Sequence, residues 1–298
     1  MLVGDAPTGA PGAEAVMARA RSENFPVASR ILPRAARSHL LAIYGFARLV
    51  DELGDSFEGD RLAALDWLEE DLDRAFAGRA EHPLLVRLTP TLRECRLPRE
   101  PFARLIEANR VDQRVKSYAT WEQLRAYCSL SADPVGELVL GVLGMATPAR
   151  VALSDSICTA LQLTEHCQDV AEDLADGRVY LPLEDLERFG AGSSDLAAPS
   201  AGGPVRGVLA FEVARARGLL DDGAPLMGEL RGRARIAVAA FVAGGRSALD
   251  AIERSGYDVL AGPPRASGAR RALSLARTLV APSARGSGGR GRQEGAGR

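Results

Sequence analysis

Several large protein classes are excluded by what this chain of 298 residues lacks. Its four cysteines, Cys95, Cys128, Cys158 and Cys167, form no Cys-x-x-Cys pair. That pattern argues against a zinc ribbon or a disulfide framework and suits reduced thiols in the cytoplasm. Lys and Arg total 37 against 39 Asp and Glu, a formal charge of −2, so no broad basic field exists and nucleic acid is not an expected partner. Aromatic residues make up only 5% of the chain. The most apolar stretch, LVLGVLGMA at 138–146, is far shorter than the ~20 residues that span a bilayer. The N-terminus carries no basic region followed by an apolar run, so no secretory signal is expected. A helix lying on a membrane surface remains open as a peripheral contact.

No run of alternating β-branched residues reads as a strand, whereas stretches rich in Ala, Leu, Arg and Glu, broken by Pro or Gly, recur throughout. The pattern predicts an all-α fold with helices near 13–21, 34–54, 60–77, 82–95, 99–114, 120–130, 132–144, 148–174, 206–221 and 225–254. Breaks are expected at Pro33, Pro83, Pro98, Pro134, Pro148 and the loop 189–204. Residues 1–12 are rich in Gly, Pro and Ala, and the last fifteen residues carry no large apolar side chain. The expectation is a disordered N-terminus over 1–12, one helical domain over 13–262, and a C-terminal extension over 263–298 that is disordered from about 284. The single Gly-x-Gly-x-x-Gly, at 286–291, lies in that tail without a strand before it, so no dinucleotide site is read there.

Two helical stretches carry an unusual load. In YGFARLVDELGD (44–55), Tyr44, Arg48, Asp51 and Asp55 fall within a narrow arc that Leu40 extends back one turn. In LQLTEHCQDVAEDLADGRVYLP (161–182), Gln162, Glu165, Asp169 and Asp173 do the same, and Asp176-Gly177 then stops the helix before Arg178. Aspartate is a poor helix former, and like charges at i,i+4 repel. One such pair is ordinarily a solvated face. Two of them, each continuous with apolar or small residues, suggest helices facing each other across a hard, oxygen-only site. Mg²⁺ fits such a site, because it takes one or two carboxylates and completes its shell with waters and substrate phosphates. His39, His82 and His166 share no spacing with these acids that would build a zinc or iron centre. Arg48 and Arg178 supply the fixed positive charge a diphosphate requires beyond its metal.

These two segments resemble the aspartate-rich signatures of the squalene/phytoene synthase family, the head-to-head prenyl transferases. The resemblance runs from about Ser22 to Leu260 and includes ATWEQLRAYCSLSADPVGELVL (119–140) and SGYDVL (255–260). ENFPVASRILPRAARSHLLAIYGFAR and the DPVG step look most like the hydroxysqualene synthase branch of bacterial hopanoid biosynthesis. The resemblance implies an isoprenoid synthase helical bundle with a central cavity, Mg²⁺ bridging substrate diphosphate to both acidic helices, and conversion of presqualene diphosphate to hydroxysqualene. It assigns Asp51, Asp55, Asp169 and Asp173 to metal and diphosphate. It sets Ser22, Tyr44, Arg48 and Gln162 along the diphosphate, and makes Tyr127 a cavity tyrosine associated with rearrangement. Pathway enzymes are the protein partners it implies.

The chain departs from the family pattern at two places. Glu165 stands where the family has Asn, followed by His166 and Cys167 in place of an aromatic pair; the glutamate is either a fifth acidic ligand or a repulsive charge. Asp133 replaces the branch's Asn. Ala132, Gly136 and Gly141 are read either as leaving cavity volume for a carbocation or as close helix packing. Two other activities compete: head-to-head condensation of two prenyl diphosphates, with farnesyl diphosphate as substrate, and a non-catalytic helical scaffold, against which the presence of all four aspartates argues.

Overall fold

The computed structural model describes residues 7, 9–19, 32–264 and 267–280, and the architecture below is that of these residues. The helices are α1 (Ala13–Arg19), α2 (Arg34–Asp51), α3 (Arg61–Phe76), α4 (Pro83–Glu94), α5 (Glu100–Arg114), α6 (Trp121–Ser131), α7 (Asp133–Val142) and α8 (Pro148–Gln168). They continue as α9 (Val170–Ala175), α10 (Leu183–Phe189), α11 (Ser193–Leu196), α12 (Gly203–Gly223), α13 (Leu226–Glu229), α14 (Gly232–Arg254) and α15 (Gly268–Val280). No strand occurs among the described residues; the nearest approach is one isolated parallel bridge between Ser117 and Val179.

Local chemistry sets the starts. Asp60, Thr120 and Thr147 each accept a hydrogen bond from the backbone N–H three residues on, capping α3, α6 and α8. Prolines 83, 134 and 148 sit in first turns, where the missing N–H costs nothing. Tertiary packing then settles the assembly. One core joins α2 to α5 through Phe46, Leu49, Leu65, Leu68, Phe102 and Ile106. A second gathers Leu124, Leu163, Val208, Leu220, Val242 and Ile252 around α8, which packs against α7, α12 and α14.

The structure corrects several expected boundaries. The helix expected over 34–54 ends at Asp51 and continues as a π-helical turn, Glu52–Ser56. The helix expected over 148–174 breaks at Asp169, whose φ of −102° and ψ of 16° close α8 and open α9. The helix expected over 225–254 divides at Leu230–Arg231, and the 189–204 loop holds the short α11. Neither α10 nor α15 was legible as a helix. Within the expected C-terminal extension, α15 packs on α14, its Ser274 hydroxyl donating to the Ala243 carbonyl at 3.0 Å. Next to the N-terminus, the Pro11 carbonyl lies 3.3 Å from His82 Nε2. The tail from about 284, with its glycine motif, lies outside the described residues.

Gly136 and Gly141 serve close packing. A Cβ on Gly136 would stand 2.2 Å from Ser154 Oγ and 2.6 Å from Cys158 Sγ, and one on Gly141 would stand 2.6 Å from Leu97 Cδ2. These glycines let α7 approach α8 and the Leu97 loop, so the volume-leaving reading fails at both positions. Gly136→Ala is expected to destabilise by about 1–3 kcal/mol. Thermal melts of the variant should show the midpoint lowered by roughly 2–10 °C, and an unchanged midpoint would remove the close-packing assignment.

Candidate active site

α2 delivers the first acidic segment. Leu40 is buried, Tyr44 and Arg48 are half-buried, and Asp51 stands half-exposed at the helix end. Arg48 lies 3.6 Å from Asp51 and 3.7 Å from Glu52. The π turn that follows is wider than an α turn, so Asp55 leaves the arc an unbroken helix would give it. Gly54 permits this turn to lie against α5: a Cβ there would meet Asn109 Oδ1 at 2.0 Å. Gln113 Nε2 donates to the Gly54 carbonyl at 2.9 Å, fixing the turn from the same helix.

The second segment is built by a helix end. α8 presents half-buried Gln162 and exposed Glu165 before breaking at half-buried Asp169. Gln162 Nε2 lies 3.3 Å from His166 Nε2, so its amide is engaged with the helix's own next turn. Asp173 follows on α9. Gly177, at φ +74°, then reverses the chain, with Arg178 N–H donating to the Asp173 carbonyl at 2.8 Å. That reversal sends the Arg178 side chain across to the first segment, where it donates to Asp55 Oδ1 at 2.9 Å. Through this contact the second acidic segment meets the first. Ser22, expected at the diphosphate, lies outside the described residues.

Close to this ion pair is a buried polar cluster that the sequence reading missed. Asp112 of α5 is buried; its Oδ2 accepts from the Tyr127 hydroxyl at 2.7 Å and its Oδ1 from the Tyr180 hydroxyl at 3.2 Å. Tyr118 lies 5.3 Å from Tyr127 between ring centroids, and His166 stacks on Tyr180 at 3.9 Å. Backbone pairing holds these rings in place: Val179 N–H donates to the Lys116 carbonyl and Leu183 N–H to that of Tyr118. A signal existed in NRVDQR, where Asn109, Asp112 and Gln113 share one face of α5, yet Asn109 and Asp112 are buried rather than solvated. Asp133 is also buried, receiving Arg125 at 2.8 Å and the Thr159 hydroxyl at 2.9 Å. It is accounted for as an internal ion pair that ties α6 to α7 and α8.

The electrostatics follow from burial. Desolvation, then the neighbouring Asp169 charge, push Asp173 up to about 7. Burial holds Asp112 above the ordinary carboxylate range, against the Tyr127 hydrogen bond and the Arg178 charge, which act to lower it. Burial also disfavours the Arg178 cation, but its hydrogen bond to Asp55 and the surrounding negative charge outweigh that and hold it above the usual range. His166, buried, is pushed down to about 3 and is neutral near pH 7. Among the described residues, no three histidine, cysteine or acidic side chains converge closely enough to hold a metal by themselves. The donors are all oxygen, and the repulsion on Asp173 is what a hard divalent cation would relieve. The residues therefore fit such an ion, completed by water and phosphate oxygens.

The architecture is that of the all-α isoprenoid synthases. A crystal structure of a dehydrosqualene synthase in complex with ligand has the same fold, with a TM-score of 0.81 at 24% identity over 90% of this chain and 94% of that one. Residues 18–276 match the squalene/phytoene synthase family model, and the chain belongs to that family. It is 49% identical to the crystal structure of squalene synthase HpnC from Alicyclobacillus acidocaldarius, with a TM-score of 0.78 over 84% of this chain and 95% of that one. It is 37% identical over 216 residues to a hydroxysqualene synthase of Rhodopseudomonas palustris, covering 71% of this chain and 72% of the relative. It is 33% identical over 254 residues to a 15-cis-phytoene synthase of Synechococcus elongatus, covering 80% and 82%.

A raised carboxylate pKa gives a pH test of the acidic pair. The penalty for holding Asp173 ionised is absent below the unfolded value near 3.8, grows through the interval up to about 7, and is complete above it. Asp173→Asn should therefore melt higher than the parent at pH 8 without metal, the gap narrowing as pH falls to 5. A gap that is constant with pH would remove the repulsion account.

Proposed function

We propose that the protein converts presqualene diphosphate to hydroxysqualene with release of pyrophosphate, using Mg²⁺. The observation that carries this reading is the Arg178–Asp55 contact, which joins the two acidic segments next to the buried Asp112–tyrosine cluster. The likeness to the HpnC squalene synthase and to the hydroxysqualene synthase supports the same branch. The fold-level kinship brings prenyl diphosphates in as the substrate class.

Asp51, Asp55, Asp169 and Asp173 would hold the metal, with Glu165 as a further candidate ligand. Bound Mg²⁺ would neutralise charge on the departing diphosphate. Arg48 and Arg178 would donate to diphosphate oxygens, with Tyr44 and Gln162 beside them. Their guanidiniums are already positioned by Asp51, Glu52 and Asp55, so little reorganisation is needed when the leaving group develops charge. The cation left behind would be stabilised by ring faces, for which Tyr127 is the candidate, its ring tilted against those of Tyr118, Tyr180 and His166. Neutral His166 adds no positive charge to repel it. Capture by water then yields an alcohol, and no reductant is consumed.

A second reading is favoured by the phytoene synthases, whose alignments cover more of this chain than that of the hydroxysqualene synthase. It is condensation of two prenyl diphosphates head to head. One assay separates them. Presqualene diphosphate with Mg²⁺ in ¹⁸O-water should give a thirty-carbon alcohol with one labelled oxygen, with or without NADPH. Squalene formed only with NADPH would overturn the branch, and turnover of farnesyl diphosphate to presqualene diphosphate alone would establish the second reading. Asp51→Asn and Asp169→Asn should each lower turnover by about a hundredfold or more with melting midpoints maintained. Near-normal turnover in either would remove the metal assignment.

A further inference from the structure

Asp112 has an unusual set of neighbours for a buried carboxylate. Both oxygens accept from phenols, Tyr127 at 2.7 Å and Tyr180 at 3.2 Å, and no cation hydrogen-bonds to either oxygen among the described residues. Lys116 Nζ, two residues beyond the end of α5, donates instead to the Asp112 backbone carbonyl, at 2.6 Å. The charged groups felt from packed elements are Arg178, which is committed to Asp55, and Asp55 itself on the π turn. Tyr118 and neutral His166 complete the wall through ring contacts. A carboxylate kept only for stability would gain more from a direct ion pair, such as the one Asp133 makes with Arg125. Here the arrangement places a carboxylate acceptor behind two phenol hydroxyls, and burial raises its affinity for a proton.

The direction of that hydrogen bond matters. Tyr127 gives its proton to Asp112, and its oxygen also meets the Tyr180 hydroxyl, which leaves one lone pair of the phenol oxygen to accept another proton. The phenol by itself is a poor base, because burial and the Asp112 charge push its ionisation far above the ordinary range. A hydroxyl that must pass a proton on therefore needs the carboxylate behind it.

We propose that Asp112, acting through the Tyr127 hydroxyl, receives the proton released when water captures the carbocation. This rests on the alcohol-forming reading above. Pyrophosphate leaves with the electron pair of its C–O bond. A lone pair of water forms the new C–O bond, and one O–H bond of the resulting oxonium breaks, its proton passing to the Tyr127 oxygen. The proton already on Tyr127 moves to Asp112 Oδ2. The products are a neutral alcohol and a neutral carboxyl, nothing is oxidised or reduced, and the carboxyl returns its proton to water after release. Asp112 is thus a positioning residue and proton acceptor at one remove, and Tyr180 holds its other oxygen in place.

The test is product partition, with presqualene diphosphate and Mg²⁺ in ¹⁸O-water, for the parent, Asp112→Asn, Asp112→Glu and Tyr127→Phe. Total pyrophosphate release and labelled alcohol are measured from pH 5 to 8. The parent should lose alcohol fraction as the pH falls and the acceptor becomes protonated. Asp112→Asn should lower the alcohol fraction by about tenfold relative to pyrophosphate released, the balance appearing as unlabelled hydrocarbon, with a flat pH profile. Asp112→Glu should recover part of it. Tyr127→Phe, which leaves the carboxylate held by Tyr180, should reproduce the loss if the asparagine variant fails to fold. An unchanged alcohol fraction and pH profile in folded Asp112→Asn or Tyr127→Phe would overturn the relay while the function stands. A parent that makes no labelled alcohol would overturn the functional reading and the relay with it.

Discussion

The contact between Arg178 and Asp55 joins positions 123 residues apart, and the arrangement of the site depends on it. It sets a cation against the acidic turn of the first segment from the end of the second. That cation is in place before any ligand arrives. The cost of burying a guanidinium is met because Asp55 accepts its hydrogen bond and the Asp112 charge acts on it as well. The geometry that aims it is local: Gly177 alone adopts the left-handed conformation needed to end α9 and turn the chain back.

Charge in this region is arranged in two layers. In the outer layer, Asp51, Asp55, Asp169 and Asp173 are partly exposed, and the Asp169 charge repels that of Asp173, a strain that binding of a cation would relieve. In the inner layer, Asp112 is enclosed by tyrosines, and His166 is held neutral by burial. The outer layer suits ionic leaving-group chemistry, and the inner suits a transient cation and a moving proton. Arg178 belongs to both, which makes the two layers electrostatically one unit.

The helices around the site are held to it by close approaches rather than by large side chains. Gly136 and Gly54 each lie where a methyl group would collide with a neighbouring helix. The buried Asp133–Arg125 pair, with Thr159, fastens the α6–α7–α8 corner that carries Tyr127. Such packing makes the position of the Tyr127 ring a property of several helices at once.

The sequence by itself determined the all-α class, the helix starts at capping residues and prolines, and both acidic segments with their arginines, because these are local: spacing, propensity and charge within one helix turn. The family resemblance rests on the same local strings. Only the tertiary structure decided that the second acidic helix breaks at Asp169, that the first ends in a π turn, and that Gly136 and Gly141 close gaps rather than open them. It alone turned Asp112 from one polar residue on an apparently solvated helix face into the centre of a buried tyrosine cluster. The physical reason is that burial and partner are long-range facts: Asp112, Tyr127 and Tyr180 lie on separate segments, and nothing within any one of them records that their oxygens meet.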